Sequence, residues 1–242
     1  MTRPWSSVPI AECGEELVRL KPFFYCLEPH PYLSLGAPYG EFEDPWRLRK
    51  DVFRRLVDAQ NQLKAENPDL CLAIFDAWRP IPVQAYMVDY AISEQCNKRG
   101  FDRNDQRNQI ALIAVEESVK EFWAIPSTDG SNPPPHSTGA AVDLTIADFN
   151  RVALDMGGRI DEIGSISFPN YYLMTSEDDP NANVWHRRRA FLANVMLNAG
   201  FIQHPNEWWH FSYGDQLWAW KSNSSAAIYG ALASSGIKDK TV

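Results

Sequence analysis

The 242-residue chain is 45% hydrophobic and 12% aromatic with 17 prolines, a balance that excludes fibrous, collagen-like and wholly disordered proteins. A formal charge of −8 sets the surface as a whole against nucleic acid and anionic membrane, so neither is an expected partner. The amino terminus lacks the basic and apolar regions of a secretory signal, and no stretch approaches the roughly 18 apolar residues that span a bilayer, so a soluble cytoplasmic protein is expected.

Without an internal repeat or Gly/Ser linker, one domain is expected over 1–242, with an irregular segment over about 1–43 and a polar tail over about 222–242. From Asp44, DPWRLRKDVFRRLVDAQNQLKAENPD sets Val52, Phe53, Leu56, Val57 and Leu63 at three- and four-residue spacing between an Asp-Pro start and an Asn-Pro stop, which predicts an amphipathic helix. LCLAIF, residues 70–75, predicts a short buried strand ending at DAWRP, where Pro80 breaks regular structure just after Arg79. Helical patterns follow over 83–96 and 109–122. PSTDGSNPPPHSTG cannot be helix or central strand, because its prolines lack N–H groups; it is a rigid loop feeding the strand AAVDLTI. After the Gly/Asp-rich LDMGGRIDEIG and a polar loop to about Asn183 comes a helix with Phe191, Leu192, Val195 and Met196 on one face, ending at Gly200. FIQHPNEWWHFSY predicts a hairpin turning at Pro205-Asn206. Cys13, Cys26, Cys71 and Cys96 lie far apart without a C-x-x-C pair, which fits reduced thiols, with Cys13–Cys26 the one bridge to consider.

Two segments combine residues that can carry chemistry. His136 sits on the rigid loop and Asp143 seven positions later inside the strand, where alternation puts Val142, Leu144 and Ile146 on one face and Ala141, Asp143 and Thr145 on the other. A carboxylate in a core strand is costly unless it is paired, hydrogen-bonded or bound to a metal. In NEWWHFSY, Glu207 precedes His210 by three, and the indoles between them lower the local dielectric, which raises the Glu207 pKa and suits it to take a proton from water. His136, Asp143 and His210 as ligands with Glu207 as base make the residue set of a catalytic zinc site. Residues three apart on a regular strand face opposite sides, so Glu207 is expected before the strand or on a bulge. Arg79 suits a developing oxyanion or a substrate carboxylate. His186 before three arginines reads as a solvated face and His204, beside the Pro turn, as a loop residue, while His30, between prolines near the start, is the least expected as a ligand. On the residues alone, the plainer alternative stays open: a loop histidine, a hydrogen-bonded strand carboxylate, core tryptophans, and Arg79 in an ordinary ion pair.

AWRP, HSTGAAVDLT, LDMGGRID and NEWWHFSYGDQLWAW, in this order and spacing, resemble the VanX-type D-alanyl-D-alanine dipeptidases over about residues 44–221. The resemblance implies a compact α+β fold, a small mainly antiparallel sheet flanked by helices as in hedgehog domains and D,D-peptidases. It also implies one zinc on His136, Asp143 and His210, Glu207 as general base, Arg79 steadying the tetrahedral transition state, and D-alanyl-D-alanine as substrate. Family members often have serine two positions before the first histidine, where this chain has Pro134, so substrate preference can differ while the chemistry persists. A D,D-carboxypeptidase for longer stem peptides and a non-catalytic zinc-stabilised binding module remain as alternatives, and oligomeric state is open.

Overall fold

The computed structural model describes residues 3–40, 44–127, 129–174 and 180–232. The front segment, expected to be irregular, contributes β1 (Leu17–Arg19), β2 (Tyr25–Cys26) and the single-turn helix α1 (Pro31–Ser34). Then follow β3 (Arg47–Arg49), α2 (Lys50–Glu66), β4 (Cys71–Asp76), α3 (Ile81–Lys98), α4 (Gln109–Lys120), β5 (Ala141–Ala147), α5 (Tyr171–Met174), α6 (Ala182–Asn198), β6 (Ile202–Gln203), β7 (His210–Ser212) and α7 (Gln216–Lys221).

Five strands form one sheet in the order β2-β4-β5-β7-β6, antiparallel throughout except for β2 against β4. β1 and β3 make a separate antiparallel ribbon. This is the α+β architecture with a mainly antiparallel sheet that the sequence predicts. The first long helix starts at Lys50 rather than at Asp44, because residues 47–49 are drawn into the ribbon: Arg47, Leu48 and Arg49 pair with Arg19, Val18 and Leu17. Arg49 also gives its backbone N–H to the Gly139 carbonyl at 2.9 Å, so helical hydrogen bonding begins only after it.

The apolar stripe of α2 (Val52, Leu56, Ala59, Leu63) and that of α6 (Leu192, Val195, Met196) join Leu72, Ile74, Val142, Leu144, Ile146 and Phe211 of the sheet in the main core. Each fully buried Leu, Ile or Val there contributes roughly 1.5–3 kcal/mol. A second cluster ties α1, α3 and α4 together through Tyr32, Val83, Met87, Val115, Val119, Phe122 and Trp123. The polar loop expected up to Asn183 holds α5, and its residues 175–179 lie outside the described residues. The tail expected to be polar is docked as far as the structure describes it: Ala227 and Tyr229 are buried, and Ala227 exchanges backbone hydrogen bonds with Pro9 and Ala11. Residues 233–242 of that tail lie outside the described residues. All four cysteines are free, so no Cys13–Cys26 bridge forms.

Candidate metal centre

Sheet pairing aligns three polar residues in one row. Asp143 on central strand β5 faces His210 on β7, and on its other side it faces Asp76 at the end of β4. A bulge makes the second pairing, because Ile74 pairs with Leu144 while Asp76 pairs with Asp143, which leaves Phe75 as the extra residue. With regular alternation Asp76 would point into the apolar core opposite Val142; the bulge turns it to the polar face.

His136 comes from a one-turn 3-10 helix, Pro135–Thr138, inside the proline loop. Gly139 closes this turn at φ 73°, and its open side is packed against the Leu17 side chain, so a Cβ has neither the conformation nor the space. The turn is tied to the segment after β4 by Arg79 N–H to His136 O at 3.2 Å and by Ser137 Oγ to Arg79 O at 2.7 Å.

His136 Nε2 lies 3.2 Å from Asp143 Oδ2 and 3.2 Å from His210 Nδ1, and His210 Nδ1 lies 2.9 Å from Asp143 Oδ1. Among the described residues these three form the one group able to hold a metal ion. A tetrahedron with arms of about 2.0–2.1 Å has edges of about 3.3–3.4 Å, so two imidazoles and a carboxylate at these separations fit a zinc ion after small movements. The opposite nitrogen of His136 meets Ala77 O at 2.7 Å and Asp76 Oδ2 at 3.2 Å, which places its proton there and frees Nε2 as a donor to metal. Burial alone would push Asp143 up, but the imidazoles of His136 and His210 outweigh it and hold the carboxyl far below the usual carboxylate range.

Glu207 precedes β7 in the loop of the β6–β7 hairpin, which turns at Pro205 and Asn206, so it escapes the strand alternation that would separate it from His210. Its Oε2 is 3.6 Å from His210 Nδ1, and its Oε1 is 3.5 Å from His204 Nδ1. Burial, and next the Asp143 charge, push its pKa up to about 8. Trp208 and Trp209 are both buried.

Arg79, buried just past β4, has most of its hydrogens committed. Nε donates to Asp76 Oδ2 (3.1 Å) and Nη1 to Gln84 Oε1 (2.8 Å), while Nη2 reaches Asp76 Oδ2 (2.7 Å), Tyr32 Oη (3.2 Å) and Asp143 Oδ2 (3.5 Å). One Nη1 hydrogen stays outside these bonds. Arg79, Glu207, His136, Asp143 and His210 line one small cavity, of about 30 Å³.

The residues singled out in the sequence therefore meet in one place, and others missing from that reading meet them there. Asp161 lines the same cavity, half-buried, and accepts a 2.8 Å hydrogen bond from Tyr32 Oη. It sits at φ 65°, and burial, with the Asp143 charge next, pushes its pKa up to about 8. His204 lies in the β6–β7 loop, as expected, but is buried there against Glu207 and His210, and His30 Nε2 is buried 3.2 Å from Asp76 Oδ1. His186 lies on α6 outside the cluster; of the arginines after it, Arg189 is buried and donates to the carbonyls of Met156, Ile166 and Phe168, so that face is not simply solvated. Asp76 was open to the argument used for Asp143, a carboxylate in a buried strand. Asp161 carried no such local signal.

Residues 27–227 match the D-ala-D-ala dipeptidase family, peptidase M15. Among curated proteins, a D-alanyl-D-alanine dipeptidase of Synechocystis is 40% identical over 233 residues, 91% of this chain and 91% of that protein. One from Escherichia coli K12 is 29% identical over 164 residues, 68% of this chain and 65% of that protein. Among solved structures, a vancomycin-resistance D,D-pentapeptidase VanY in complex with Zn(II) aligns at a TM-score of 0.43 and 16% identity, over 90% of this chain and 94% of that one.

Proposed function

This chain belongs to the D-ala-D-ala dipeptidase family of M15 peptidases, and on that premise we propose that it hydrolyses the dipeptide D-alanyl-D-alanine to two molecules of D-alanine with one zinc ion. The observation that carries the reading is the approach of His136 Nε2, Asp143 and His210 Nδ1 to within 3.2 Å of one another, with a carboxyl of raised pKa, Glu207, beside them. A merely structural metal site has no use for that base.

His136, Asp143 and His210 are the zinc ligands in this reading. Zinc bound there supplies a Lewis acid for the scissile carbonyl and a lowered pKa for an attacking water. Glu207 takes the proton from that water and passes it to the leaving amine, a task matched to a pKa near neutrality. The spare Nη1 hydrogen of Arg79 donates to the oxyanion, and its buried charge, anchored by Asp76, needs no rearrangement to do so. Asp161 and Tyr32 hold the dipeptide's free ammonium, whose charge compensates the cost of ionising Asp161 in its half-buried position. A setting in the cytoplasm, where thiols stay reduced, is supported by the four free cysteines.

The ammonium site favours a dipeptidase over a carboxypeptidase, because a longer stem peptide has an amide where the ammonium would be. Comparing D-alanyl-D-alanine with a stem pentapeptide ending in the same two residues tests this. The dipeptide should be cleaved and the pentapeptide left intact; preferential cleavage of the pentapeptide would contradict the reading.

A further inference from the structure

We propose that Arg3, brought in by the N-terminal segment, binds the substrate's terminal carboxylate and so sets specificity on the leaving side. The inference rests on the dipeptidase reading above. A dipeptide zwitterion entering this cavity brings a carboxylate past Asp143 and Glu207, both acidic, and with zinc engaged at the scissile carbonyl its binding calls for a further cation. Among the described residues lining this cavity and the larger one beside it, Arg3, Arg79 and Lys120 carry one, and Lys120 is exposed and paired with Glu117 at 2.7 Å. Arg79 has a single hydrogen outside its bonds to Asp76, Gln84, Tyr32 and Asp143, enough for an oxyanion but not for a two-pronged hold on a carboxylate as well.

The loop on the other side of the cavity offers one neutral amide, Asn132, and no cation. Pro133, Pro134 and Pro135 have no N–H, Ser137 Oγ is given to Arg79 O, and Thr138 Oγ1 is given to Pro135 O. Arg3 differs from all of these. Its hydrogen bonds among the described residues both come from Nη2 and are long, 3.5 Å to Lys120 O and 3.4 Å to Phe122 O, so Nε and Nη1 remain for a ligand. Its location also fits. The catalytic cavity of about 30 Å³ is too small for a dipeptide, and it is adjoined by a cavity of about 190 Å³ that shares Arg3, Trp123, Ala124 and Pro135 with it. Arg3 thus stands at the junction, whereas Asp161 lines the inner cavity alone. A cation at one end and an acid at the other match the polarity of a free dipeptide. Trp5, buried edge-on against His204 with ring centroids 5.7 Å apart, anchors the segment that carries Arg3.

The test compares D-alanyl-D-alanine with its neutral carboxamide on zinc-loaded wild type and on Arg3→Gln and Arg3→Lys. Wild type should prefer the acid. Arg3→Gln should raise KM for the acid roughly 10- to 100-fold with little change in kcat and leave the amide unaffected, and Arg3→Lys should recover part of the loss. Calorimetric Kd values in a zinc-loaded Glu207→Gln background should shift by the same factor for the acid and not for the amide. An equal effect of Arg3→Gln on both substrates, or none on either, overturns the assignment, since a residue that only props up the segment cannot tell acid from amide. If wild type cleaves neither substrate, the dipeptidase reading fails and this inference with it; if it cleaves the acid and Arg3→Gln still prefers acid to amide by the wild-type factor, the Arg3 assignment alone fails.

Discussion

Asp143 and His210 are register partners on adjacent antiparallel strands, with Oδ1 2.9 Å from Nδ1. Two of the three proposed ligands are therefore placed by backbone pairing, and the scaffold is as rigid as the sheet core behind it. His136 alone depends on a loop.

Ligands and neighbours separate on metal content. Asp143→Asn and His210→Ala should each lower zinc affinity by at least roughly 100-fold, because an ordered donor is lost from a three-residue set. His204→Ala should keep a full equivalent of zinc, although its ring centroid is 5.4 Å from that of His210. Metal analysis after dialysis reads both, and loss of zinc from the His204 variant would contradict the ligand assignment.

Gly139 tests the loop. Alanine there would meet positive φ and the Leu17 side chain together, so Gly139→Ala should cost about 1–3 kcal/mol and loosen zinc by displacing His136. Chemical unfolding with a zinc titration checks it. Unchanged stability and zinc affinity would show that the turn adapts.

Arg49 is fully buried and joins three parts of the chain. It donates to Glu12 at 3.0 and 2.9 Å, to Thr138 O at 2.8 Å and to Gly230 O at 3.1 Å. Arg49→Ala leaves buried carbonyls without donors, so about 2–4 kcal/mol of stability should be lost. A loss under about 1 kcal/mol in urea unfolding would mean that water replaces the guanidinium easily.

Much of this was legible in the sequence, for reasons that particular residues show. The stripe Val52, Leu56, Leu63 announced α2, and alternation in AAVDLTI placed Asp143 opposite Val142 and Leu144, because both are local periodicities. α2 starts at Lys50 and not at Asp44 because β1, thirty residues earlier, pairs with 47–49. Asp76 required a bulge to reach the site, and Asp161 and Arg3 arrive from distant segments. Long-range pairing decides such positions, and no spacing within one segment records it. Glu207, by contrast, lies before the strand, where a site shared with His210 requires it.

Asp161 links function to pH. Its pKa of about 8 in the fold exceeds the ordinary 3.8, so between about pH 4 and 8 the folded metal-free chain keeps a proton that the unfolded chain has released, and stability falls as pH rises through that window. Asp161→Asn removes this loss. It should stabilise the metal-free protein by about 1–2 kcal/mol at pH 9, a gain limited by solvent screening of a half-buried group, and by nearly nothing at pH 4. The same variant should raise KM for the dipeptide. Thermal unfolding at the two pH values decides the first point, and an equal effect at both would remove the carboxyl from the account.

The most direct measurement is release of free D-alanine from D-alanyl-D-alanine by zinc-loaded protein, with Glu207→Ala alongside and its zinc content determined. Two D-alanines per dipeptide from wild type, and none from a variant that still binds one zinc, is the predicted result. Near-wild-type release by the variant would contradict Glu207 as the base, and no release by either protein would contradict the dipeptidase reading itself.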